Sequence, residues 1–394
     1  MDVRAAEIGM YICELDRPWD ETPFLLQGFF IESAQDLRVV RDVCEYVYID
    51  SVKSRKSPKQ NQAAKKLEKH QIKVPFDEEI EQARSAYRQT HALIKSTLDE
   101  IQFGKPINTE AVKDVVKDCV ISVLNNPNAL LLMTQMQSRD DYTSQHSFDV
   151  CVLSIAFGRH LGFPEKTLQE LGLCGLLHDM GKMKISLDLL NKKGPLEPEE
   201  FEEMKRHTTL GRDLLAAARD LPASAVDVAH CHHERLDGSG YPRGLTAENI
   251  TPFSKMVAIV DVYNAVTSER VYNSSQSHME ALNALSRGRG THFDASLVMR
   301  FIACVGIYPP GSLVELSSGE VAIVLEVKPE KKSLPKVIVV LDENKQPVKE
   351  KVIDLSKELK DKDGNAYKIK VSLAHNSYGL DLNDFLEKGL TFPT

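Results

Sequence analysis

Leu171-Gly172-Leu173-Cys174-Gly175-Leu176-Leu177-His178-Asp179-Met180-Gly181-Lys182 is an apolar helical run that ends in an adjacent imidazole and carboxylate. Its glycines lower helix stability but let a neighbouring backbone or a ligand come close. Lys182 follows His178 by four residues. If the helix continues, the ammonium shares a face with the imidazole and can reach a phosphate oxygen. A His-Asp pair alone is weak evidence, so the reading depends on what else the chain supplies.

A second cluster follows at His232-His233-Glu234-Arg235-Leu236-Asp237-Gly238-Ser239-Gly240-Tyr241-Pro242. Adjacent imidazoles on a helix point about 100° apart, awkward for chelating one ion and workable for two neighbouring ions. The glycines and proline then form a turn-rich loop, whose backbone amides and Tyr241 can line a cleft. Three further candidates complete the set: His146, His207 and Asp261. Asp261 follows the apolar Val257-Ala258-Ile259-Val260, where a buried carboxylate calls for a cation or metal partner, although alone Asp261 equally reads as a helix-capping or salt-bridged residue and Lys182 as a solvated helix side chain. Taken singly, each histidine has an ordinary explanation as a core or surface imidazole; His70, His91, His160, His230, His278, His292 and His375 keep that explanation.

Outward from these clusters the chain changes texture twice. Met1 to about Asp50 alternates short apolar runs with turn residues and predicts a small α+β module, and the basic stretch Lys53 to Lys66 reads as a linker, giving a first region of 1–70. From Phe76 the period is helical: Ile80, Ala83, Tyr87, Ile94, Leu98 and Ile101 share one face of a long helix that packs in the chain or against a second copy. Val112, Val115, Val116, Cys119 and Val123 form a second helix, interrupted at Pro127. Helices continue to about Val305, so the helical region spans 76–310, with its motif core at 142–305. Beyond Pro309-Pro310-Gly311, strand-like runs at 312–316, 320–325 and 336–341 predict a small β-rich module at 311–394. The fold class expected is mainly α, an all-helical core between a small α+β domain and a β-rich module.

Composition narrows the function. The net charge of -8 argues against general binding to a nucleic acid polymer, which needs many cations on phosphates. The seven cysteines are scattered without a C-x-x-C pair and read as reduced thiols. The absence of a long apolar run or a signal-like start predicts no membrane span and a cytoplasmic protein.

From about Tyr142 to Val305 these motifs resemble the HD-GYP domains, a branch of the HD metal-dependent phosphohydrolases. The match comprises His146, His178-Asp179 with Lys182, His207, His232-His233-Glu234, Asp237-Gly238-Ser239-Gly240-Tyr241-Pro242, Asp261 and Thr267-Ser268-Glu269-Arg270. The resemblance implies an HD core that hydrolyses cyclic di-GMP to linear pGpG and, in some members, to GMP. It also implies divalent or mixed-valence metal ions with iron or manganese favoured, two of them because Tyr142 stands where some members carry a glutamate for a third. The amino-terminal segment is similar to the small domain of uncertain function that often precedes HD-GYP domains.

On that basis His146, His178, Asp179, His207, His232, His233 and Asp261 are the expected metal ligands, with Asp179 bridging the ions and a metal-bridged hydroxide as nucleophile. Lys182 and Arg270 would bind phosphate oxygens, and Gly240 and Tyr241 would line the substrate cleft. The chain departs from the family pattern at Tyr142, where some members carry a glutamate for a third metal, at Asn264 in place of an aspartate, and at Asn273 in place of a basic residue. Two rival readings stay open: a catalytically weak or silent module that senses cyclic di-GMP or docks on a diguanylate cyclase (GGDEF) protein, and an HD phosphohydrolase acting on another nucleotide.

Overall fold

The computed structural model describes residues 1–16, 29–31, 34–50, 70–135, 142–268, 278–328, 331–357, 359–361, 364–374, 377–380, 382, 383 and 385. They fall into two compact units, Met1–Leu67 and Glu68–Thr394. In the first, β1 (Tyr11–Leu15) lies between β2 (Phe29–Phe30) and β3 (Val47–Asp50), antiparallel to both, and α1 (Ala34–Val43) accompanies this sheet. Ile12, Leu15, Val40 and Val47 are buried there, consistent with the α+β pattern of the sequence. The basic stretch Lys53 to Lys66 lies outside the described residues.

The second unit is helical first. α2 (Phe76–Gln102) buries Ile80, Ala83, Ile94, Leu98 and Ile101 and packs on α3 (Thr109–Asn125), α4 (Pro127–Met133) and α5 (Tyr142–His160). The apolar face that left a second copy open as partner is therefore covered from within the chain. Asn126 ends α3 and caps α4, with Pro127 in the first turn, where a missing N–H is harmless. α5 and α6 (Glu165–Leu177) are buried along most of their length. In α6 each glycine costs about 1 kcal/mol of helix propensity, whereas each buried leucine contributes roughly 1.5–3 kcal/mol. Leu171, Leu173, Leu176 and Leu177 are all buried, so burial decides and the helix forms.

A 3-10 turn (Met180–Lys184) leads to α7 (Leu187–Leu190), α8 (Pro198–Ala217), α9 (Ala223–Cys231), α10 (Pro252–Thr267), α11 (His278–Arg287) and α12 (Ala295–Val305). A reciprocal capping box between Glu197 and Glu200 starts α8, which satisfies amide groups that have no partner inside the helix. Among the described residues no helix is long and apolar enough to cross a membrane.

The chain then forms an antiparallel sheet in the order β7-β6-β5-β4-β8, from β4 (Leu313–Leu316), β5 (Val321–Glu326), β6 (Lys336–Leu341), β7 (Pro347–Asp354) and β8 (Ile369–Ser372). Its apolar residues divide with a period of two. Leu313, Val321, Ile323, Leu325, Ile338 and Val340 join the core of the helices, while Val314, Ala322, Val324, Val337 and Val339 form a second cluster on the other face. Both faces of β5 and β6 are covered, which is why these strands read as unbroken apolar runs.

Candidate metal centre

Five helices deliver the candidate ligands to one place. His146 lies in the second turn of α5, His178 caps the end of α6 with Asp179 next to it, His207 lies within α8, His232 caps α9 ahead of His233, and Asp261 lies within α10. The ligand atoms of Asp179, His207, His232 and His233 lie within 4.8 Å of one another, as do those of His146, His178 and Asp179, and those of His178, His232 and Asp261. Asp179 is common to the first two groups.

The hydrogen bonds fix which ring nitrogen carries the proton. His178 Nδ1 donates to the Gly175 carbonyl at 2.8 Å, His207 Nδ1 to Met204 at 2.6 Å, and His232 Nδ1 to Val228 at 3.0 Å. A carbonyl only accepts, so each Nδ1 is protonated and each Nε2 keeps its lone pair. His146 Nδ1 likewise meets Asn264 Oδ1 at 2.7 Å. The Nε2 atoms of His207 and His232 are 3.4 Å apart, and neither has a hydrogen to give. His146 and His178 Nε2 stand 3.5 and 3.3 Å from Asp179 Oδ2, and His207 and His232 Nε2 stand 3.4 and 3.6 Å from Asp179 Oδ1.

Acceptor thus faces acceptor in a buried space, and His178 Nε2 and Asp179 Oδ1 have no hydrogen-bond partner among the described residues. Each unsatisfied buried group costs roughly 1–3 kcal/mol; cations among them would remove that penalty. Mixed imidazole and carboxylate donors suit first-row divalent metals, so the residues fit a metal centre. Burial pushes His178 down, takes His207 to about 4 and pushes His233 well down, which keeps these rings neutral and able to ligate near neutral pH. Burial alone would raise the Asp179 carboxyl, but the neighbouring Lys182 ammonium, His178 and His146 together outweigh it and hold the group well below the usual carboxylate range.

Lys182 reaches the centre by a different route from the one expected. The helix does not continue past His178, because Met180–Lys184 is a 3-10 turn. Side chains three apart eclipse in that geometry, so Lys182 stacks on Asp179 and its ammonium donates to Asp179 Oδ2. Gly181 explains the sharp turn: a Cβ there would lie 2.0 Å from the His207 carbonyl and 2.4 Å from the Gly211 nitrogen. Only a glycine lets α8 pass closely enough to bring His207 in.

The loop after His233 folds over this centre. Tyr241 packs its ring against His233 with centroids 4.8 Å apart, and burial raises its hydroxyl pKa so that the group stays a donor. A Cβ at Gly240 would lie 2.3 Å from the Arg235 nitrogen, which accounts for glycine there. Glu234, given no role by the sequence, accepts from the Arg243 and Leu245 amides, both at 2.8 Å, and so holds the loop in its fold. Asp237 accepts from the backbone and side chain of Ser239, a turn-forming role away from the ligands. Arg270 and Asn273 lie outside the described residues. Sequence reasoning also missed Gln145 and Asp149, buried polar residues of α5 one before and three after His146, which carried no signal beyond that nearness.

Family models match three stretches: an HD domain over residues 125–297, a domain of unknown function over 1–112, and a KOW domain associated with HD domain over 313–361. A cyclic di-GMP phosphodiesterase of Pseudomonas aeruginosa is 36% identical over 366 residues, covering 90% of this chain and 88% of that protein. A cyclic di-GMP phosphodiesterase of Thermotoga maritima is 36% identical over 165 residues, 42% of this chain and 45% of that protein. A 3'3'-cGAMP-specific phosphodiesterase of Vibrio cholerae is 36% identical over 157 residues, 40% of this chain and 36% of that protein. Identity at that level over nearly the whole length, together with the HD-domain match across the helices that carry the histidines, establishes that this chain belongs to the HD-GYP family of HD-domain phosphodiesterases.

Proposed function

We propose that the protein hydrolyses cyclic di-GMP, opening one phosphodiester to give linear pGpG and, by a second cut at the same centre, GMP. The observation that carries this reading is the ring of imidazole lone pairs around Asp179, in a chain whose full-length relative is named for that substrate. His146, His178 and Asp261 would hold one ion, His207, His232 and His233 the other, with Asp179 shared. Iron or manganese suits this donor set. When bound, such ions supply Lewis acidity to phosphoryl oxygens and make bound water more acidic.

The protein's own groups complete the site. The Lys182 ammonium, beside Asp179 and part exposed, offers a point charge to a non-bridging phosphate oxygen. Arg270 would add a planar fork. Tyr241 and Gly240 would line the substrate cleft, on the loop that Glu234 holds in its fold. Purification without oxygen, metal analysis and chromatography of cyclic di-GMP beside a His178→Ala/Asp179→Ala variant test the reading. Two metals per chain, with cleavage lost in the variant, are expected. Full metal occupancy without cleavage by the parent would turn the protein into a sensor, and preferential cleavage of 3'3'-cGAMP in the same assay would move the substrate assignment.

A further inference from the structure

We infer that Asn264, backed by Asp149, is the positioning residue for the His146 side of the centre, an inference that rests on reading the cluster as a metal site. His178, His207 and His232 find the acceptor for their Nδ1 proton in a carbonyl three or four residues back in their own helices. Any sequence that keeps those helices keeps those tautomers. His146 depends instead on a side chain 118 residues away, the Asn264 carboxamide on α10.

A carboxamide is an acceptor on one side and a donor on the other, so its use depends on what holds it. Asn264 Nδ2 donates to Asp149 Oδ2 at 3.0 Å. The other oxygen, Asp149 Oδ1, takes the Gln145 Nε2 amide at 2.7 Å, and Gln145 Oε1 accepts from the Tyr87 hydroxyl at 2.9 Å. Gln145, Asp149 and Asn264 are all buried, so water does not compete. The donors converge on Asp149, from Tyr87 through Gln145 on one side and from Asn264 on the other, and this leaves the Asn264 oxygen facing His146.

The consequence falls on the far side of the His146 ring. With its proton on Nδ1, Nε2 presents a lone pair 3.2 Å from Asp261 Oδ1 and 3.5 Å from Asp179 Oδ2, among the other candidate ligand atoms. Turning the amide over would place an N–H against Nδ1 and drive the proton to Nε2, where it would block ligation. Asn264 also lies three residues after Asp261, so one turn of α10 carries a candidate ligand and the group that aims another.

A reciprocal exchange separates aiming from packing. Asn264→Leu keeps the volume and removes the acceptor. Asn264→Asp alone sets two carboxylates against each other, whereas Asn264→Asp with Asp149→Asn restores an acceptor for His146, a donor between the two positions and an acceptor for Gln145. The measurements are Mn2+ binding followed by metal analysis, and the tautomer of His146 by nitrogen-15 NMR on metal-free protein. In Asn264→Leu one of two Mn2+ ions should bind roughly 10–100-fold more weakly, with the Nδ1-protonated form of His146 no longer dominant. The double exchange should recover both ions and the tautomer. If Asn264→Leu does not fold, Asn264→Ala removes the same acceptor without adding a branched side chain and makes the same comparison. Parent-like Mn2+ binding and tautomer in the disrupted variant, or no recovery in the double exchange, overturns the inference. A parent that binds no divalent ion overturns the metal reading instead, and the tautomer measurement still decides the role of Asn264.

Discussion

His278 Nε2 donates to the Gly306 carbonyl at 2.9 Å, so its Nδ1 accepts from the Tyr263 hydroxyl, 2.8 Å away. Both roles suit a neutral ring, and burial lowers the pKa to about 4. In the unfolded chain it would be near 6.5. Because the folded value is depressed, the stability associated with the neutral ring is present above about pH 6.5 and is lost as pH falls towards 4. Urea unfolding of the parent should weaken between pH 7 and 5 by about 2 kcal/mol more than that of His278→Gln, whose amide can still donate and accept. Equal slopes would show that His278 does not titrate this way. At this scale the sequence displayed the ligand candidates, because imidazole and carboxylate are visible as letters. It could not display the Gly175, Met204 and Val228 carbonyls that fix the tautomers, since every residue has a carbonyl.

Among the elements, the 3-10 turn and α8 meet at a contact that tolerates no side chain. Gly181→Ala would push a methyl into the His207 carbonyl; overpacking of this kind typically costs about 1–3 kcal/mol. A lower melting temperature together with loss of metal on the His207 side is expected from calorimetry and metal analysis, and an unchanged melt would mean that the turn can move aside. Glu234→Leu should behave differently. It strands the Arg243 and Leu245 amides without touching a candidate ligand, so KM for cyclic di-GMP should rise while metal content holds. Loss of metal in that variant would tie the loop to the centre itself.

Helices were legible where apolar residues repeat, as in α2, and the break at Pro127 was legible from its missing N–H. The end of α6 was not, because the approach of α8 to Gly181 is a tertiary event. β7 was also hard to read: Lys349, Glu350 and Lys351 put charge along an exposed edge strand, which blunts the alternation while protecting the edge.

For the whole molecule, ions that bind only the folded chain stabilise it by mass action, about 2.7 kcal/mol at a concentration one hundred times Kd. With an unfolding entropy of about 2 cal/mol/K per residue, a chain of 394 residues shifts by roughly 1 °C per kcal/mol, a drop of about 3 °C on chelation. Calorimetry with and without a chelator measures it, and coincident melts would mean that the fold gains nothing from metal. The helical core and the terminal sheet were both legible from changes of period along the chain. The docking of one sheet face into the helical core was not, because an apolar run does not say what will cover it.

The candidate ligands are drawn from His146 through Asp261, and none of the helices that carry them supplies a complete set. On the ribosome, then, the nascent chain has no finished binding site until α10 has emerged. Loading is a late event in the life of each molecule. Whichever ion is abundant in the cell when folding finishes, and not when translation starts, is the one the protein is built to receive.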